Sequence, residues 1–370
     1  MKKSLKIAIA TVLVLIFAIL VTGCGLKIST GEGNYIGLFY LENYQEWDNE
    51  FAPEGSYIVP ASDIDNLDLK WMSGNIDIVI YDGKDIIFTE SAEKPIERDT
   101  ALRYGIKDKT LYIQFCPKNQ DWKLSDLQNI MPNKDLQVKI PAGFAASLHN
   151  FSCESDAADL NVPELTAQSF VFDSASGNLQ AADMDCGKVN LDNSSGNSYF
   201  AGKFAQLDAD SASGNIKLDS TDYAESAVIN NSSGQVDLAG KFKKLSIDTA
   251  SGDVKTESTV VADSLSVGSS SGIIWLNGSF EQVNINNSSG DVYLGSTLCP
   301  AVLNISNSSG SVTLALPENS AFTLGFDTGS GKIQSDLPLV LKSDKYILGS
   351  GAAPFSVNTA SGDLILKTAK

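Results

Sequence analysis

The chain has 370 residues, of which 43% are hydrophobic, 19% charged and 8% aromatic, enough apolar material for a core and too much for a disordered tail. Twenty-seven Lys and Arg against 45 Asp and Glu leave a net charge of −18, which repels nucleic acid and disfavours phosphate binding. The single histidine, His149, and the scarcity of arginine (only Arg98 and Arg103) exclude His-cluster metal sites and Ser-His-Asp chemistry.

Lys2, Lys3 and Lys6 precede an uncharged apolar run from Ile7 to Val21, which ends in Val21-Thr22-Gly23-Cys24. A basic start, a short apolar stretch and small residues before a cleavage point describe a secretory signal peptide over residues 1–23. Val-Thr-Gly-Cys resembles a bacterial lipobox, in which Cys24 carries palmitate-type acyl chains and becomes the mature N-terminus. The rival reading is a transmembrane anchor, for which the run is at the lower edge of spanning length. Both put the body outside the membrane, and the expected location is the extracytoplasmic face of the cell membrane, held by lipid at Cys24. Residues 24–33 are rich in Gly, Ser and Thr and read as a tether.

Residues 34–150 read as an N-terminal cap and irregular first coils. Residues 34–66, with Tyr57-Ile-Val-Pro60, cap the first coil. Leu67 to Ile78 is a complete repeat of the kind described next. Ile86 to Thr89, Leu111 to Phe115 and Leu136 to Ile140 read as strands with longer loops, and Lys118 to Asn133 as a short helix or irregular loop.

The body repeats. Ser-Gly recurs at Gly74, Gly177, Gly196, Gly214, Gly234, Gly252, Gly272, Gly290, Gly310, Gly331 and Gly362, and from Gly177 to Gly310 the spacing is 18 to 20 residues. With that glycine as position zero, −7 and −5 are apolar in every copy, as in Val283/Ile285 and Leu303/Ile305. Positions +2 and +4 are mostly apolar, and −3 is Ser, Asn or Thr in every copy except Trp71. Period-2 alternation on both sides of a tight corner gives two short strands per copy. One unit cannot bury its apolar edge, but stacked units can. The fixed phase of side-chain identity predicts an all-β parallel β-solenoid of about 19-residue repeats, regular over 151–370, with the −3 residues as an internal polar ladder. A β-sandwich of hairpins accounts for short strands but not for that phase. Stepping back 19 residues from Gly177 uncovers a degenerate copy centred on Ala158, with Phe151 and Cys153 inward. An insertion near 336–350 separates the last two copies and reads as a cap.

Leu67-Asp-Leu, Ser73-Gly74-Asn75-Ile76, then Leu136-Gln-Val-Lys-Ile-Pro141-Ala-Gly143, then the run of Ser-Gly-Asn/Asp-apolar repeats, together resemble the DUF4097-type, adhesin-like family of bacterial surface β-solenoid proteins. The resemblance runs from about Asp63 to the C-terminus. It implies an envelope-attached β-solenoid and carries over no catalytic residue.

Cys116, Cys153, Cys186 and Cys299 form an even set in an exported chain, which invites a disulfide. Cys186 and Cys299 share a phase six coils apart, too far to bridge, whereas Cys116 with Cys153 stays open. Aspartates recur at −4 and +1, but without a Gly-Gly-x-Gly-x-Asp repeat they read as corner residues, and no metal or cofactor is expected. Paired acids on a β-helix also occur in carbohydrate-active enzymes, but no arginine lies within the regular coils to hold a uronate. The candidate binding residues lie in the outward +3 column, which is polar at Lys217, Asp237, Lys255 and Thr313 but holds Trp275 and Tyr293 on adjacent coils, with Ile273 beside Trp275. These predict a flat exposed platform for glycan or protein, with a covering loop as the alternative. The expected function is a non-enzymatic surface lipoprotein presenting an elongated acidic solenoid to envelope glycan or a surface protein. Its alternatives are an envelope-stress or scaffold component binding another envelope protein, and a carbohydrate-active enzyme on a β-helix.

Overall fold

A computed structural model describes residues 27–29, 35–37, 44–52, 55–116 and 133–369. The signal peptide, the lipidation residue Cys24 and all but the last residue of the 118–133 loop lie outside the described residues. Lys27–Ser29, inside the stretch read as a tether, pairs antiparallel with Tyr35–Gly37. The chain divides into two compact units, residues 1–182 with 192–196, and residues 183–191 with 197–370.

Both units are parallel β-solenoid. In the second, the strand Lys244–Thr249 runs parallel to the adjoining Val254–Ser271 with Leu245 opposite Leu265 and Ile247 opposite Val267. Those positions continue into Val283/Ile285 and Leu303/Ile305. Like thus stacks on like, and a column of branched aliphatics fills the interior, each nearly inaccessible to solvent. In the first unit the degenerate copy keeps the same register. Phe151 opposes Phe170 with rings stacked at 5.0 Å, and Cys153 opposes Phe172.

The corner explains the glycine. Gly252 has no left-handed φ, yet a Cβ there would sit 1.7 Å from the Gly234 carbonyl oxygen of the preceding coil. At Gly272 it would meet the Gly252 oxygen at 2.4 Å and at Gly290 the Gly272 oxygen at 2.1 Å. Five of the eleven corner glycines do have positive φ. Lack of space above the neighbouring carbonyl, more than conformational freedom, is therefore the common reason. The −3 residues bond to one another in Thr359 Oγ1 to Thr328 Oγ1 at 3.0 Å, but elsewhere they bond to the corner backbone in place of a side-chain ladder. Ser174 Oγ accepts from Gly177 N at 2.8 Å, and Asn193 Oδ1 accepts from Gly196 N at 2.9 Å while its Nδ2 donates to Gly177 O of the coil before. Asn307 donates to both Gly290 O and Gly310 O. At these corners the −3 side chain replaces ladder partners that the backbone loses at the bend, whereas the buried Ser269 hydroxyl, at −3 of Gly272, has no hydrogen-bond partner among the described residues. The +1 residues extend this outside: Asp253 accepts from Ile273 N, and Asp291 from Ser311 N, both at 2.8 Å.

Coil order departs from chain order at one end of each unit. Asn66–Tyr81 pairs parallel with Leu148–Val162 on one side and with Thr110–Gln114 and Lys134–Pro141 on the other. Gly362 packs on the Gly310 carbonyl and Gly331 on the Gly362 carbonyl, so the last repeat in sequence lies between the two before it. The 336–350 insertion forms a hairpin, Val340–Lys342 with Lys345–Leu348, and its second strand pairs antiparallel with Phe322–Leu324. Ser56–Pro60, from the predicted cap, pairs antiparallel with Asp85–Ala92, which in turn pairs with Lys134–Pro141.

The out-of-order coil of the first unit carries a feature absent from the repeat pattern. Lys134 stands at position zero, with Asp135 accepting from Asn75 N at +1 and Leu136 and Val138 inward. Trp71 Nε1 donates to Lys134 O at 2.8 Å, doing for this coil what Asn193 does for the Gly177 coil. Lys134 Nζ is fully buried, 2.7 Å from Glu90 Oε2, 2.8 Å from Thr100 O and 2.6 Å from Phe115 O, and lies 4.0 Å from the Phe115 ring centroid. Three acceptors saturate the ammonium, which compensates for loss of water.

Two stability outcomes follow from these contacts. Lys134→Met leaves the Glu90 carboxylate buried without a counter-ion and is expected to destabilise by about 3–5 kcal/mol in denaturant unfolding, while adding Glu90→Gln recovers a large part of the loss. Gly252→Ala is expected to lower the melting temperature markedly; Gly143→Ala, where nothing lies within 4 Å of the new methyl, is expected to leave it within about 0.5 kcal/mol of the parent.

Candidate functional site

The +3 column of the second unit runs Tyr199, Lys217, Asp237, Lys255, Trp275, Tyr293 and Thr313, each opposite the next across parallel strands. Alternation turns these side chains outward because their +2 and +4 neighbours fill the core. Lys217, Asp237 and Lys255 do not act as a simple charge ladder. Lys217 Nζ lies over the Tyr199 ring at 5.4 Å, and Lys255 Nζ pairs with Glu257 along its own strand at 2.9 Å. The Glu257 hydrogen bond and charge raise the Lys255 pKa.

Trp275 and Tyr293 meet, with ring centroids 4.0 Å apart and planes 16° from parallel. Trp275 is 43% exposed and Ile273 50%, so no loop covers them. Their geometry differs from two tiles laid side by side. In-register strands place the rings face to face, so one face of the indole is spent on Tyr293 and the pair stands as a single wall. The other indole face looks toward the Gly252 coil. There it bounds a cavity of about 230 Å3, lined by Gln235, Asp237, Asp253, Lys255, Ile273 and Trp275, with Val236 and Val254 beneath. The polar lining consists of +1 and +3 residues from two successive repeats, and the same two positions of the third supply the apolar Ile273 and Trp275. Reading the sequence along one column at a time concealed it; comparing the two columns across neighbouring repeats would have exposed it. A larger groove of about 680 Å3 lies farther along the same strands, starting at Glu257 and Asn277 and bounded by the exposed Val261 and Leu298.

Acids gather in the first unit. Glu154 opposes Asp173 across parallel strands and pairs with Lys70 at 2.8 Å. Burial, then the charges of Glu154 and Asp173, raise Asp156 to about 7. Burial, then the charge of Cys116, raises Tyr44, whose hydroxyl donates to Lys70 O. Among the described residues no group of three or more His, Cys, Asp or Glu is placed to hold a metal ion. Cys116, Cys153 and Cys186 are buried thiols outside any disulfide and Cys299 is a half-buried one; burial pushes Cys116 up to about 12 and Cys153 higher still.

The repeat geometry has a known counterpart. The Toastrack DUF4097 family matches residues 54–243 and 239–367. The chain belongs to this family. Similar solved structures include a candidate cell-adhesion protein from Clostridium sporogenes (11% identity, TM-score 0.21, 85% of this chain and 98% of that one). A candidate adhesin from Bacteroides fragilis shows 12% identity and a TM-score of 0.32, over 84% of this chain and 95% of its own. A candidate lipid-binding protein from Parabacteroides distasonis shows 16% identity and a TM-score of 0.29, with the same coverage. No curated protein matches. Among the described residues no helix is long and apolar enough to cross a membrane.

The acid column sets a pH dependence. A carboxyl whose folded pKa lies above its unfolded value weakens the fold as pH rises from about 4 through 7. Asp156→Asn is therefore expected to stabilise at pH 8, on the order of 1–2 kcal/mol after solvent screening, and the gain should fade as pH falls toward 4. Thermal melts of both proteins across that range read the difference.

Proposed function

We propose that this chain is a non-enzymatic cell-surface lipoprotein, anchored through Cys24 on the extracytoplasmic face, whose solenoid coils present a binding face to envelope glycan or a surface protein. The observation that carries the reading is the exposed Trp275 stacked on the half-buried Tyr293, with the exposed Ile273 beside it, an apolar contact next to coils that present Lys217, Asp237 and Lys255. The chain's acidity supports it, since a strongly negative surface suppresses adventitious contact with nucleic acid and anionic lipid. The names of the similar structures, adhesin and cell-adhesion proteins among them, agree with a surface role. The family and those names also agree with binding in place of catalysis.

Retention on isolated envelope tests it. The parent protein is expected to sediment with cell-wall material, and the Trp275→Ala/Tyr293→Ala variant, with an unchanged melting temperature, to stay in the supernatant. Equal retention removes the aromatic pair from the account. Cys24→Ser is expected to move the protein from the membrane fraction to the medium or soluble fraction, and continued membrane association would refute the lipid anchor.

A further inference from the structure

The aromatic pair has one free face, and what surrounds that face defines a chemistry. Trp275 is stacked on Tyr293 toward the Gly290 coil, so its remaining face looks across the cavity toward the Gly252 and Gly234 coils. The cavity, about 230 Å3, is smaller than the roughly 300–1,000 Å3 of drug-sized pockets and suits one ring of a ligand. Its walls are of two kinds. Trp275 and Ile273 supply a flat apolar side. Facing them are acceptors and donors: Gln235, Asp237 and Asp253, the last held in place by accepting from Ile273 N at 2.8 Å. A flat apolar side opposite fixed polar groups matches a pyranose ring, with C–H groups on its faces and hydroxyls around its rim.

Charge narrows the class. Among the described residues that line it, the one cation is Lys255, and its ammonium is engaged by Glu257 at 2.9 Å. Two carboxylates face the ligand with no uncommitted positive group, so an anionic sugar is repelled and an uncharged one is not.

The lining also continues. Lys255 bounds the cavity and Glu257, two residues on along the same outward side of the strand, bounds the larger groove of about 680 Å3. Trp275 and Asn277 repeat that step on the next coil. The two hollows therefore lie end to end along the strand direction, divided by the Lys255–Glu257 pair, with Leu298 and Val261 exposed at the far end.

We propose that this face binds a neutral glycan chain, one pyranose stacked on the free face of Trp275 and the following units crossing the Lys255–Glu257 pair toward Leu298. The inference rests on the binding face proposed above and names its ligand class.

Isothermal titration of the full-length protein with uncharged β-1,4-linked tetraoses in gluco, manno and N-acetylglucosamine form, with their disaccharides, and with tetragalacturonate as the charged counterpart, tests it. The expected result is binding by at least one neutral tetraose, tighter than its disaccharide. Trp275→Ala should weaken both by about tenfold or more. Leu298→Lys should weaken the tetraose and leave the disaccharide unchanged. Tetragalacturonate binding as tightly as the neutral series overturns the charge argument, and a tetraose no tighter than its disaccharide overturns the extended groove. If no neutral sugar binds while Trp275→Ala still abolishes envelope retention, the ligand class is wrong and the binding face stands. If Trp275→Ala leaves envelope retention intact, the face itself is wrong.

Discussion

Close approach of one coil's corner to the carbonyl of the coil before it is the constraint on which the rest depends. At the Ser-Gly corners the residue has no side chain because its Cβ would fall inside that carbonyl oxygen, as at Gly252 over Gly234; Ala158 and Lys134 are the exceptions. Once the corners are pinned, the −7, −5, +2 and +4 residues must face inward together, and the interior becomes columns of Leu, Ile, Val and Phe. The −3 hydroxyls and amides hold the bend from inside, and the +1 aspartates and asparagines hold it from outside. Polar residues at these two positions thus serve the backbone, which explains an abundance of acids and amides without invoking metal or catalysis.

Much of this was legible because a period in sequence translates directly into a period in space. The phase of Ser-Gly gave the parallel register, and extrapolating it backward found Ala158 and the inward Phe151 and Cys153. Period alone, however, cannot say which coils are neighbours. Gly362 follows Gly331 by 31 residues, outside the regular spacing, and only the packing of its corner on Gly310, with Gly331 packed on it in turn, shows that it sits between two earlier coils. Lys134 was hidden for a related reason. It occupies position zero without being glycine, and the loop before it erased the spacing, although Asp135, Leu136 and Val138 carry the +1, +2 and +4 pattern. Glu90, its partner, comes from a strand outside the repeat and left no periodic trace.

The candidate site was legible in part for the same reason. Column +3 identified Trp275 and Tyr293 as neighbours, since parallel in-register strands must place them together. The orientation of the rings was not legible, because χ angles leave no mark on a period. Stacking joins the exposed Trp275 and the half-buried Tyr293 into one wall, and the free indole face looks onto a cavity lined by a different set of residues, Asp237 and Asp253 among them.

The exchanged order at the C-terminal end bears on how the protein assembles. A solenoid whose coils follow the chain can grow as it emerges, each new turn settling on the last. Here Phe322–Thr328 emerges before Ala353–Ser361 but lies beyond it, so that mode of growth halts at Leu316. Ala353–Ser361 is therefore gripped on both flanks, by Val302–Ser309 and by Phe322–Thr328, and it is the keystone through which the turn that precedes it in the chain is joined to the stack.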